Sequence, residues 1–495
     1  MTCRAIMLQG TGSDVGKSSI VAGLCRLAKH RGISVAPFKP QNMSNNAAAC
    51  PSGGEIGRAQ ALQAQAAGLD LHTDFNPVLL KPQSDRTAQV IVHGHPINTF
   101  EAADYMNSRD NLMGAVMESF DRLAAKHDLI IVEGAGSPAE INLRARDIAN
   151  MGFARKAGIP VSLIGDIDKG GVIASLVGTK NVISPTDAEM ITSFIINKFR
   201  GDPALFDDGI SAIEKMTGWP CFGVIPWLPT LSHLPAEDAV SLIQPSVSTS
   251  NKLRIAAPML SRMANFDDAD PLRLDPNIDF QWVAPGKNIP RNVDVIMLFG
   301  TKSTISDMEF VLEQGWDIDI LAHARAGGHI FGICGGYQIL GQSISDLNGY
   351  EGPKKKINGL GLLNIDTHMY NTKTVSPVSA YCASTDIQTS GYRIHAGRSF
   401  GADCNRPLLK IDGSNEGATS SNNLTSGCYV HGLFASDEYR QTWIKRWGQP
   451  IDNAYNYNQT VEDTLDQLAS DLDSVLDVDA LFASAQPVGW SPNQQ

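Results

Sequence analysis

Two short stretches carry residue types that can do chemistry. The first is Gly10-Thr-Gly-Ser-Asp-Val-Gly-Lys-Ser18. A glycine-rich turn followed by Lys-Ser lets backbone N–H groups and a helix N-terminus face polyphosphate oxygens. In such a loop Gly10, Thr11, Gly12 and Gly16 form the cradle, Lys17 neutralises phosphate charge and the Ser18 hydroxyl reaches Mg²⁺. The strict pattern G-x-x-x-x-G-K-[ST] fails by one position, because Thr11 occupies the first glycine site and Gly10 precedes it. The second stretch is Phe331-Gly-Ile-Cys-Gly-Gly-Tyr-Gln338. Gly332 and Gly336 flank Cys334 at i−2 and i+2, which permits a sharp strand-to-helix turn that projects the thiol. A helix N-terminus behind the thiol favours thiolate. The Gly335 N–H is placed to stabilise an oxyanion, with a second donor available from the Gly300-Thr301 turn.

A nucleophilic thiol needs a base. The second half of the chain offers His323, His329, His368, His395 and His431. His329 lies inside the strand leading to Cys334 and is poorly placed. His431 follows the β-like run Cys428-Tyr-Val and precedes Gly432, so it sits at a strand end, as a partner should. On spacing alone His395 remains a rival.

The elements that position these residues read as α/β grammar. The phosphate loop joins a strand at Ile6–Leu8 to a helix over Ser18–Lys29. Further apolar runs at Ile33–Phe38, Asp128–Glu133, Ile159–Ile164 and Met190–Ile196 alternate with helical segments, predicting a mostly parallel sheet. Glu133, ending a buried strand, is placed for Mg²⁺ or its waters. Asn197-Lys198 stands where a base edge is read, and Phe199-Arg200 follow in place of the Asp that would select guanine, which favours adenine. The polar loop Lys39–Asn46 lies where open α/β sheets put ligand contacts, although a solvated turn reads equally well. Gly54–Ala67 reads as a helix. The Ser/Thr-rich stretch Ser241–Asn251 reads as a linker, after which strands resume at Arg254–Ala257, Val293–Leu298 and Gly328–Cys334. The tail Thr460–Phe482 is an acidic amphipathic helix whose charged face is expected in solvent.

Composition bounds the function. At 495 residues two domains are the default. A net charge of −12 argues against nucleic acid as a partner. No uninterrupted apolar run approaches the roughly 18 residues of a membrane span. The first strand begins almost at Met1, leaving no room for a signal peptide, and the eight cysteines are dispersed without C-x-x-C. A cytoplasmic protein with reduced thiols is expected.

With both centres in view the chain resembles the cobyric acid synthase family, glutamine-dependent amidases of corrin side chains in cobalamin biosynthesis. The resemblance spans nearly the whole chain. It rests on Gly10–Ser18, Pro37-Phe-Lys-Pro-Gln-Asn-Met-Ser44, Glu133–Leu143, Asp166-Ile-Asp-Lys-Gly-Gly171 and Asn197–Asp202. Asn265-Phe-Asp-Asp-Ala-Asp-Pro-Leu272, Gly332–Gly336 and Tyr429–Gly432 complete it. It implies a dethiobiotin-synthetase-like P-loop domain over 1–240, a linker at 241–251 and a class I, Triad-type glutamine amidotransferase domain over 252–495. Cys334 is then the nucleophile and His431 its general base. Leu433 stands where class I enzymes usually carry Glu, and the family lacks that third member, so a Cys–His dyad is expected. Phe299 replaces the usual Pro before Gly-Thr-Lys302, and Arg393 replaces the usual Glu in the segment ending at His395.

The implied reaction uses ATP at Gly10–Ser18, Mg²⁺ held by Ser18 and Glu133, and ammonia from glutamine to amidate adenosylcobyrinic acid a,c-diamide at b, d, e and g. Asn197 belongs to the nucleotide site by this reading, and Gly300 with Gly335 to the oxyanion site. Lys39, Gln41, Asn42, Asn45 and Asp166 are the implied corrin contacts. The alternatives are the sister a,c-diamide synthase, whose loop differs at Gln41–Ser44, and a partitioning-type switch ATPase, whose extra loop lysine is missing here. A thiol hydrolase would leave residues 1–235 unexplained. Oligomeric state stays open.

Overall fold

The computed structural model describes residues 2–83, 87–235, 252–447 and 454–492, with backbone alone over 98–111. The expected linker, 241–251, lies outside the described residues.

Six parallel strands build the first sheet in the order Cys221–Pro226, Ile191–Phe199, Val161–Asp166, Arg4–Gly10, Leu129–Glu133, Val35–Phe38. Their sequences are apolar runs, not alternating ones, because helices cover both faces; every residue of Leu129–Glu133 is buried. Parallel direction brings Gly10, Glu133, Asp166 and Phe38 to one edge of the sheet. The helix Lys17–His30 buries Ile20, Val21, Leu24 and Leu27. Its other side receives the C-terminal helix Tyr457–Val475 through Leu465, Leu468 and Leu472. Gln486–Pro487 then pairs antiparallel with Arg4–Ala5.

This docking differs from the sequence reading in two ways. The tail returns to the first unit, so the second unit is not simply 252–495. The acidic face also meets partners: Arg26, buried, reaches Glu462 at 2.5 Å and Asp466 at 2.6 Å, and Arg31 reaches Asp473 at 2.7 Å and Asp479 at 2.6 Å. The tail is two helices, Tyr457–Val475 and Val478–Ser484. The Asp477 carboxylate caps the second by accepting from the Ala480 N–H at 2.9 Å.

The segment after Phe38 is not a solvated turn. Gln41–Met43 is a strand heading a sheet with Val78–Pro82, Thr87–Val92 and His95–Glu101. Ala47–Ala49 pairs with Glu55–Gly57, so the following helix begins at Arg58 and runs to Ala67.

The second unit holds a sheet ordered Ile278–Val283, Leu253–Pro258, Val295–Leu298, His329–Ile333, Thr425–Cys428, Ala418–Thr419, parallel except for its last pair. Beside it stands a mixed sheet dominated by the long hairpin Asp366–Cys382 and Gln388–Phe400. The chain changes sheets within one residue. Cys428 pairs with Ile333 in the first, and Val430–His431 pairs with Tyr392–Arg393 in the second. Tyr429 is the corner, and that corner delivers His431 to the neighbourhood of Cys334.

Candidate active site

The phosphate loop has the shape its spacing predicts, and the displaced glycine has a steric reason. A Cβ on Gly10 would lie 2.5 Å from Val15 Cγ2 and 3.0 Å from Lys17 Nζ, whereas at Gly12 the nearest atom stands at 4.0 Å. Gly10 is therefore the position that must lack a side chain, and Thr11 need only donate its N–H to the Ile164 carbonyl at 2.9 Å. Gly16 has φ +92°, which favours glycine, and it abuts the Asn197 side-chain amide. Lys17 Nζ donates to the Gly12 carbonyl at 2.9 Å. Asn197, expected at a base edge, donates from Nδ2 to the Val15 carbonyl at 2.8 Å and so braces the loop from beneath.

Glu133 is the hub of this edge. It is fully buried and accepts from the Ser18 hydroxyl at 2.7 Å, Lys39 Nζ at 2.7 Å, Gln63 Nε2 at 2.6 Å and Gln60 Nε2 at 3.4 Å. A hydroxyl and a carboxylate oxygen side by side are hard donors that suit Mg²⁺. Among the described residues no group of three or more His, Cys, Asp or Glu that could hold a metal ion occurs. Of the implied corrin contacts, Lys39 is thus ion-paired, Asp166 is paired with Lys198 at 2.9 Å, and Asn42 donates to Gln60 at 2.9 Å. Gln41 is buried on its strand. Asn45 lies elsewhere, in the cavity of Cys334.

At the second centre Cys334 has φ 51° and ψ −109°, a strained conformation that its neighbours must hold. They can do so because they are glycines. A Cβ on Gly336 would sit 1.9 Å from the Leu298 carbonyl oxygen, and one on Gly335 2.9 Å from the Thr301 nitrogen. The same close approach brings the Gly300-Thr301 turn against the thiol, with the Cβ direction of Gly300 3.7 Å from Cys334 Cβ. The helix beyond is a single turn, Gly335–Ile339, so local N–H groups matter more here than a macrodipole. Phe299 leaves that turn intact: it is buried against Trp282, with ring centroids 5.4 Å apart.

His431 lines the same cavity as Cys334, and its Nδ1 lies 2.7 Å from Asp268 Oδ2. The other Asp268 oxygen accepts from the Gly432 N–H at 2.6 Å. Burial opposes the charged imidazole, but Asp268 and Cys334 outweigh it and raise His431 to about 10. The expected dyad is therefore a triad in geometry. Its third member comes from the block Asn265–Leu272, far from position 433. The clue available in the sequence was three aspartates within Asp267–Asp270. His395 lines the same cavity, but its Nδ1 engages the Gly397 carbonyl at 2.8 Å, its ring stacks on Tyr429 at 3.9 Å, and burial lowers it to about 4. Arg393, in place of Glu, lies 3.9 Å from Glu416.

The two centres are bonded to each other. The Asn46 side-chain oxygen accepts from the Asn265 N–H at 2.7 Å, Asn265 Nδ2 donates to the Ala47 carbonyl at 3.1 Å, and Arg58 reaches Asp267 at 3.1 Å. The segment that holds Asp268 thus rests on the loop that begins at Lys39.

A P-loop sheet joined to an amidotransferase-type elbow defines a class, and family profiles give the same division. Residues 6–242 match the CobQ/CobB/MinD/ParA nucleotide binding domain, and residues 254–439 match the CobB/CobQ-like glutamine amidotransferase domain. Among curated relatives, cobyric acid synthase of Hyphomonas neptunium is 63% identical over 99% of both chains. Those of Bradyrhizobium diazoefficiens and Paracoccus denitrificans are each 55% identical, over 98% and 97% of this chain and all of theirs. The chain belongs to the cobyric acid synthase family.

Proposed function

We propose that the protein is an ATP- and glutamine-dependent ligase that converts corrin side-chain carboxylates to carboxamides. On this reading it takes adenosylcobyrinic acid a,c-diamide to adenosylcobyric acid. What supports it most is the Cys334–His431–Asp268 grouping, bonded through Asn265 to the loop that also touches the nucleotide-site carboxylate Glu133. A switch ATPase has no use for the first feature, nor a free thiol hydrolase for the second.

Ammonia does not displace oxygen from a carboxylate, so ATP first phosphorylates the corrin acid. Lys17 and the loop N–H groups stabilise the charge that develops on the transferred phosphoryl. Mg²⁺, held by Ser18 with Glu133 directly or through water, supplies further charge neutralisation there. At the other centre the Cys334 sulfur attacks the glutamine carboxamide, and the Gly335 N–H with the Gly300-Thr301 turn faces the oxyanion. His431 takes the Cys334 thiol proton as the sulfur attacks and gives it to the departing ammonia. The neutral ring then takes a proton from the water that hydrolyses the thioester. Asp268 holds the ring and balances its charge. A first unit over 1–240, braced by the C-terminal helices, and a second unit from 252 up to those helices divide this labour.

The test is product mass after incubation with ATP, Mg²⁺, glutamine and the a,c-diamide. Four amides gained supports the reading, and ATP hydrolysis indifferent to corrin and glutamine overturns it. Cys334→Ala should lose glutamine use yet retain amidation with ammonium chloride.

A further inference from the structure

The cavity in front of Cys334 does not end within the second unit. Its far wall carries Lys302, Glu351 and Lys373, together with Asn45 and Lys81 from the first unit. The charges on this wall do not balance. Glu55, fully buried, receives Lys81 on one carboxylate oxygen at 2.5 Å and Lys373 on the other. Lys302 donates to a neutral group, Gln89 Oε1, at 3.1 Å and lies 5.4 Å from the Tyr350 ring centroid. Glu351 accepts from the Ile305 N–H at 3.1 Å. Three ammonium groups therefore share two carboxylates where little water can screen them. Burial, then Lys373 and Lys81, pull Lys302 down to about 7; burial, against the pull of Glu55, lowers Lys81 to about 8. The Lys81 charge is also felt at Cys334, so this wall and the thiol share one site. The Asn45 side-chain oxygen is buried there without a hydrogen-bond partner.

The wall thus offers lysine ammonium groups to a carboxylate and the Glu351 carboxylate to an ammonium group, and the head of an α-amino acid carries that pair. We propose that the Lys81–Lys302–Lys373 wall is the subsite for the amino-acid head of glutamine. Lys302 and Lys81 face its α-carboxylate, Glu351 faces its α-ammonium group, and its carboxamide reaches Cys334. The proposal rests on the glutaminase reading of Cys334. It adds a consequence: because Lys81 belongs to the first unit, the glutamine pocket is complete only when the two units are docked.

The test uses the full chain and two amides, glutamine and 4-aminobutanamide, which is glutamine without the α-carboxylate. Lys302→Met and Lys81→Met should each raise KM for glutamine about 10- to 100-fold, the worth of one charge-assisted hydrogen bond. Hydrolysis of 4-aminobutanamide and amidation driven by ammonium chloride should change less than about twofold, within the scatter of an uninvolved contact. An unchanged KM for glutamine overturns the proposal. Equal losses with both amides and with ammonium chloride also overturn it, since they mark a purely structural cluster. Should Lys81→Met fail to fold, Lys302→Met decides, with Lys81→Arg as the charge-retaining control. Cys334→Ala separates the two levels. If it keeps glutamine use, the underlying reading fails; if it loses it while KM of Lys302→Met stays normal, only the subsite fails.

Discussion

Asp268 and His431 form a buried pair whose loss should be felt in two measurements. In Asp268→Asn the imidazole loses the charge that outweighs its burial, so its pKa should fall from about 10 toward or below its usual 6.5. A histidine proton titration by NMR checks this. Glutamine-dependent turnover should drop by a factor on the order of 10⁴, as when a triad carboxylate is neutralised, with amidation from ammonium chloride kept. The pH dependence of stability has a definite sign. His431 is raised on folding, so its contribution is fully present below about pH 6.5 and is lost as pH rises through about 10. Denaturation of Asp268→Asn at pH 6 should fall short of the parent by about 3–5 kcal/mol, the cost of breaking a buried pair. Local spacing singled out the Cys334 elbow but left His395 beside His431 as a candidate base, and the family resemblance chose between them. The partner of that base could not be read from spacing, because 163 residues separate it from His431 and only the sheet-switching corner at Tyr429 joins them.

At the scale of elements, both loops depend on backbone approaches that exclude a side chain. Gly336→Ala would drive a Cβ into the Leu298 carbonyl at 1.9 Å, so the single-turn helix must move and Cys334 with it. Glutamine use should vanish and the melting temperature of the second unit should fall by several degrees in calorimetry, a shift of about 2–4 °C per kcal/mol at this size. The C-terminal helix is the matching case in the first unit. Leu468 is buried against Lys17–His30, and Leu468→Ala should cost about 2–5 kcal/mol by denaturant titration. ATP affinity should weaken with it, because the same helix begins at the phosphate-loop lysine. The amphipathic spacing predicted this helix but not its partner, since an apolar stripe does not say what it will cover.

At the scale of the molecule the two units meet through specific residue pairs. Asn265 exchanges hydrogen bonds with Asn46 and Ala47, and Ile394, whose carbonyl faces the Cys334 sulfur at 3.7 Å, packs with Ala47, Ala49, Leu79 and Ile91. If ammonia crosses here, Asn265→Ala should uncouple the two centres. Glutamine hydrolysed per amide formed should rise above one, read by comparing glutamate release with product mass, while amidation from ammonium chloride persists.

The chain itself determined the strand–loop–helix of the phosphate site, the parallel sheet implied by unbroken apolar runs and the glycine-flanked turn at Cys334. These depend on residues within a few positions of one another, where glycine sterics and apolar periodicity act directly. Tertiary structure decided what distant segments must do together. It turned the polar Lys39–Asn46 stretch into a buried interface, returned the tail to the first sheet, supplied Asp268 to His431 and set Lys81 beside Lys302. Each joins segments far apart in sequence, and all but the tail bring buried polar or charged groups together. Such groups are tolerated only when a partner arrives from elsewhere in the fold, and no local spacing names that partner.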